Sequence, residues 1–219
     1  MRNKFDNELE NLNNNITKMG ALCESAIRQA MSCFIHDGDT TIEDVKQCEI
    51  KIDGFESEIE SQCLKLILQQ QPVAKDLRIV SAVLKMLTDL ERIGDQAVDI
   101  AELSAYTKNT NLHLRQMAEY SIRMLTTAID AFVNKDLELA KKTIALDNMV
   151  DDLFLTVRCD MIKELKEEVN SAEESLDILL IAKYLERIAD HAVNVSEWVI
   201  FSITGLHKGE NYDSNTRRW

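Results

Sequence analysis

With 219 residues, 45% hydrophobic and 29% charged, the chain can bury one sizeable core or two small ones and is too apolar to be disordered. Six glycines, one proline and 5% aromatics argue against an all-β fold and for long helices. A formal charge of −13 repels phosphate backbones, so nucleic acid is not an expected partner.

Apolar spacing predicts six helices. The first runs from about Phe5 to Ile35, with Phe5, Leu9, Leu12, Ile16, Met19 and Cys23 three or four apart. His36-Asp-Gly-Asp39 breaks it, with Gly38 expected to be left-handed. Thr40 with Glu43 reads as a capping box opening the second helix, which carries Val45, Ile52, Phe55, Ile59 and Cys63 towards Gln69-Gln70-Gln71 and Pro72. The third, about Ala74 to Tyr106, is apolar around most of its circumference and is expected to be central. Lys108 to Asn111 is a polar hinge. Helix four covers about His113 to Val133, and helix five, after a turn at Asn134-Lys135-Asp136, about Leu137 to Glu168. Ser171 with Glu174 reads as a second capping box, and helix six runs to about Ile203. The expected fold is all-α: two tandem three-helix bundles of long antiparallel helices, over 1–107 and 112–206, with a polar tail over 207–219.

The five cysteines, Cys23, Cys33, Cys48, Cys63 and Cys159, are odd in number and form no C-x-x-C, which favours reduced thiols packed as small hydrophobes. The N-terminus has no secretory h-region, and no apolar run is long enough to span a bilayer, so a cytoplasmic location is expected.

One phrase occurs twice. Asp89 to Glu102 reads DLERIGDQAVDIAE, and Tyr184 to Glu197 reads YLERIADHAVNVSE. Glu49-x-x-x-Asp53 recurs as Asp147-x-x-x-Asp151. Each half thus has an acidic pair four residues apart on its second helix and another on its third, Glu91/Asp95 and Glu186/Asp190. Residues at i and i+4 share a helix face, where two carboxylates repel and call for a cation, a proton or a metal. Asp99 extends the first line, and Asn194 holds its place in the second half. Converging carboxylates suit a hard or borderline cation such as Mg, Mn or Fe, and Zn is a further candidate metal at the paired motifs. The alternative is a solvated face, since the same spacing occurs at Asp6/Glu10, Glu56/Glu60, Asp160/Glu164, Glu164/Glu168 and Glu173/Asp177. Arg92 and Arg187, three residues before Asp95 and Asp190, offer intrahelical ion pairs instead. His191 is available to the second set, although its repeat counterpart is Gln96. No H-E-x-x-H, Glu-x-x-His, P-loop or GxGxxG occurs, and nothing reads as an active site, so an enzyme is not expected. Nor is there a Gly-rich nest or an Arg cluster at a helix start to bind phosphate.

Gln71-Pro-Val-Ala-Lys-Asp-Leu-Arg78 together with the doubled Leu-Glu-Arg-Ile-x-Asp resembles the PhoU family over almost the whole chain. The resemblance implies a non-enzymatic cytoplasmic regulator that represses phosphate uptake and the phosphate-starvation response. Its implied partners are the ATPase subunit of a phosphate ABC transporter, the cytoplasmic region of a sensor histidine kinase of a two-component system, and a second copy in a homodimer. It also implies metal clusters on the paired motifs, here Glu49/Asp53 with Glu91/Asp95, and Asp147/Asp151 with Glu186/Asp190. The second half departs from the pattern: Ser171-Ala-Glu173 replaces Asp76-Leu-Arg78, and Asn194 replaces an acid, which weakens its hold on a cation. The alternatives are a helical protein that stores or uses a carboxylate-bound metal cluster, and a regulator of another ion transporter.

Overall fold

A computed structural model describes residues 2–36, 39–70, 73–107, 111–167, 169 and 171–206, with backbone only for 2–6 and 70. Six helices account for the regular structure: α1 (Arg2–Ile35), α2 (Ile42–Gln70), α3 (Ala74–Ser104), α4 (Leu112–Asn134), α5 (Leu137–Lys166) and α6 (Ala172–Thr204). The expectations for the side chain of Phe5, for Gly38, for Gln71 and Pro72, for residues 108–110, for Glu168 and for the tail over 207–219 fall outside what is described.

Helix ends follow local chemistry. The first capping box lies one residue later than Thr40/Glu43: the Thr41 hydroxyl accepts from the Asp44 N–H at 3.3 Å, and the Asp44 carboxylate accepts from the Thr41 N–H at 2.8 Å. Because α2 starts at Ile42, Thr41 is the residue that faces the free N–H groups. Ser171 caps α6 as expected, accepting from the Glu174 N–H at 3.1 Å. Asn111 caps α4 and Asp136 caps α5. The left-handed residue after α1 is His36 (φ +53°), and its counterpart after α4 is Lys135 (φ +54°).

Helices α1, α2 and α3 pack on one another, and so do α4, α5 and α6. The two triplets join through α3 on α6 and α1 on α4, so α1, α3, α4 and α6 form the centre and α2 and α5 flank it. The apolar girth of α3 is thereby explained: it meets α1, α2 and α6, and buries Val80, Val83, Met86, Leu90, Ile93, Ala97 and Ile100. A single cluster of buried apolar side chains runs through all six helices. Two cross-helix hydrogen bonds repeat the internal duplication. Cys23 on α1 donates to the Leu90 carbonyl at 3.4 Å, and Ser121 on α4 donates to the Leu185 carbonyl at 3.1 Å. Each ties the first helix of its half to the carbonyl just before the repeated Glu-Arg-Ile.

At Gly94, inside the repeated phrase, α2 packs close against α3. A Cβ there would lie 3.0 Å from Ile52 Cδ1, whereas the second half has Ala189 at this place.

Candidate functional site

In the first half, α2 and α3 turn their acids towards a common face. Arg92, 55% exposed, lies across the α3 pair, with Nε 3.3 Å from Glu91 Oε2 and Nη1 2.9 Å from Asp95 Oδ2. Glu49 and Asp53 approach from α2. Burial raises the Glu49 pKa, and the negative charges of Asp53, Asp95 and Glu91 push it further the same way. Burial likewise raises Glu91, reinforced by Asp95 and opposed by Arg92, with smaller pushes from Glu56 and Asp53. Glu56, which spacing alone assigns to a solvated face, joins this group: burial raises its pKa, as do Asp53, Glu60 and Asp95, against the pull of Arg92.

The second half holds a smaller group. Burial raises the Asp190 pKa, Glu186 and Asp151 add to the rise, and Lys183 and His191 oppose it. Lys183 pairs with Glu186 and lies 5.5 Å over the Phe154 ring. Asp147 is half-buried on α5, one turn before Asp151.

The remaining predicted ligands lie along the seam where α3 meets α6. Asn194 donates to Asp89 at 3.1 Å, and His191 Nδ1 lies 2.9 Å from the same carboxylate oxygen. At the other end of the seam, Asp99 lies near the Tyr184 hydroxyl and Arg187, both of which favour its charged form. Burial, Asp95 and Glu102 raise the Asp99 pKa, while Tyr184 and Arg187 oppose the rise. Asp89 and Tyr184 hold the same repeat position, as do Asp99 and Asn194. The two polar pairs are therefore one contact made twice, about a pseudo-twofold axis between antiparallel helices. Asp89 is missed by a search for acid pairs, but it opens the repeated phrase, and its replacement by Tyr184 in the second copy marks the position as special.

The test for a metal is mixed. The donors are all oxygen and repel one another across α2 and α3, as a hard cation requires. Yet among the described residues no three His, Cys, Asp or Glu side chains come together closely enough to hold a metal ion. Arg92 bridges Glu91 and Asp95. As the side chains lie, Arg92 neutralises the α3 pair, and a cation would enter only with Arg92 displaced.

No helix among the described residues is long and apolar enough to cross a membrane.

The sequence pattern of the PhoU domain matches residues 16–104 and 114–199, each stretch taking in most of one three-helix unit. The chain is 32% identical over 210 residues to the phosphate-specific transport system accessory protein PhoU homolog of Clostridium acetobutylicum, covering 93% of this chain and 96% of that protein. It is 31% identical over 212 residues to PhoU homolog 1 of Thermotoga maritima, covering 94% and 91%. The crystal structure of PhoU from Pseudomonas aeruginosa superposes with a TM-score of 0.86 at 28% identity, covering 92% of this chain and all of that one. The phosphate transport system regulatory protein PhoU from Streptococcus pneumoniae superposes with a TM-score of 0.85 at 26% identity, covering 92% and 98%. Two matched domains, relatives above 30% identity over nearly their full length and the shared six-helix fold agree: this chain belongs to the PhoU family.

Proposed function

We propose that this chain is a cytoplasmic, non-enzymatic negative regulator of phosphate uptake and of the phosphate-starvation response. It works as an adaptor between the ATPase subunit of a phosphate ABC transporter and a sensor histidine kinase, and it assembles as a homodimer. The observation that carries the reading is the end-to-end match to proteins named as accessory or regulatory components of phosphate-specific transport. The structure is compatible with work done by surfaces: the charged residues of both repeats lie on half-exposed helix faces. The first test is alkaline phosphatase activity in the host grown in abundant phosphate with this gene deleted. Deletion should raise activity and restoring the gene should lower it. An unchanged low activity, together with no binding of the purified protein to the ATPase subunit or to the kinase's cytoplasmic region, would refute the adaptor.

A second reading rests on the repulsion shared by Glu49, Glu56 and Glu91 across α2 and α3. In it the paired acids take up Fe, Zn, Mn or Mg, with Glu49, Asp53, Glu91 and Asp95 as the main ligands and Asp99 as a neighbour. Asp147, Asp151, Glu186 and Asp190 form the weaker set, with Asn194 held at the seam by Asp89. The ion would supply positive charge that fixes α2 against α3. Taking it up requires Arg92 to swing out, so Arg92→Ala should strengthen Mn²⁺ binding in calorimetry and widen the gap between melting midpoints with and without chelator. Equal midpoints in both conditions, for the parent and the variant, would remove the metal from the account.

A further inference from the structure

A second feature owes nothing to the acidic faces and stands independently of the regulatory reading. Where α1 and α3 begin and α4 and α6 end, a cavity of about 230 Å³ opens beside the junction of the two halves. Its wall is apolar: Leu9, Ile79, Phe132 and Ile203. Lys75 and Lys135, both exposed, stand at its rim. The polar groups that remain are Asn13 and Ser202, and the Ser202 hydroxyl is committed to the Val199 carbonyl at 2.7 Å.

Charge sets this cavity apart. In a chain of net charge −13 it has two cations and, among the described residues, no acid in its lining. The other cavities described each include a carboxylate: Asp89 and Glu197 beside Trp198, Glu24 on α1, and Glu119 between α1 and α4. The N-cap of α3, Val73, offers no side-chain acceptor, so the free N–H groups of the first turn stand beside Lys75, with Asp76 the acid of that turn. Lys135 is held left-handed, a conformation glycine adopts at lower cost, so the chain keeps a strained lysine at this corner. The duplication does not repeat the arrangement. In the second half Asn170 and Glu174 take the places of Lys75 and Ile79, and after α1 the left-handed residue is His36.

We propose that this cavity binds a small amphipathic carboxylate, its head between Lys75 and Lys135 and its hydrocarbon against Leu9, Ile79, Phe132 and Ile203. At about 30 Å³ per water-sized group, the volume holds roughly eight heavy atoms, the length of an eight-carbon chain with its carboxylate oxygens at the rim. The cations select the head and the apolar wall selects the tail, so neither part alone should bind.

The test is titration of the full chain with sodium octanoate below its micelle concentration, followed by methyl resonances of Ile79 and Ile203. Saturable shifts confined to these and neighbouring residues are expected, with none from acetate, which lacks the tail, or from octylammonium, which reverses the head. Lys75→Gln and Lys135→Gly should each weaken octanoate about tenfold, the loss of one charge-assisted contact. Lys135→Gly is the discriminating variant: glycine relaxes the left-handed backbone, so the melting midpoint should hold or rise while binding falls. The proposal is overturned by shifts that never saturate, by shifts spread over the whole molecule, by equal binding of octylammonium, or by unchanged affinity in both lysine variants.

Discussion

The two acidic faces descend from one repeated phrase and yet neutralise their charge differently. Arg92 and Arg187 occupy the same place in the repeat. Arg92 stays on its own helix and spans Glu91 and Asp95. Arg187 acts across the seam on Asp99 and Tyr184, and Lys183 takes over the pairing with Glu186. The difference traces to the residues opposite. Asp99 is an acid, and its pull on Arg187 has no equivalent at the other end, where the neutral Asn194 stands in its place. There Asp89 is already satisfied by His191 and Asn194. A duplicated helix thus keeps its apolar packing while one acid-to-amide exchange redirects its cations.

The largest expected effect tests whether the two cores are equivalent. Leu90 and Leu185 share a repeat position and are both fully buried. Leu90→Ala and Leu185→Ala should each cost about 2–5 kcal/mol in urea unfolding. Similar losses would make the halves one cooperative core. A loss from only one would mean that the repeat carries unequal loads.

A smaller effect addresses the seam. Asp89→Ala removes the acceptor shared by His191 and Asn194 and should cost about 1–3 kcal/mol, towards the lower end because both His191 and Asp89 retain some solvent contact. Tyr184→Phe removes the hydroxyl that favours the Asp99 carboxylate and should cost less, about 0.5 kcal/mol. If Tyr184→Phe costs more than Asp89→Ala in chemical denaturation, the ranking of the two ends is wrong.

Much of this architecture is legible in the sequence, and the reasons are particular. Six helices, the central place of α3 and the Ser171 cap follow from apolar spacing and local hydrogen-bonding chemistry, which act within a few residues. The first capping box shifts by one because Thr40-Thr41 and Glu43-Asp44 offer two registers, and only the start of α2 chooses between them. The seam is not legible, since nothing local says that Asp89 meets residues 102 and 105 positions away. The surroundings of Glu56 are hidden for the same reason: its i+4 partner is visible in the sequence, while its nearness to Arg92 and Asp95 depends on how α2 lies against α3.

The smallest effect is the sharpest probe of the acidic faces. The surroundings named for Glu49 all raise its pKa, whereas Glu91 has Arg92 and Asp190 has Lys183 to oppose the rise. A carboxyl raised in the folded state favours folding below its ordinary, unfolded value, and that contribution is lost as pH climbs through the folded value. Glu49→Gln should therefore stabilise the protein at pH 7 by about 0.5 kcal/mol, a rise of about 1–2 °C in melting midpoint. Below the ordinary carboxylate range, where the parent is protonated in both states, the gain should vanish. Glu91→Gln should change little at pH 7, because the relief from Asp95 is offset by the lost contact with Arg92. Asp190→Asn should fall between them. Equal gains from all three would show that the cations do not screen these faces; no gain from Glu49→Gln would show that α2 and α3 hold their acids too far apart to repel.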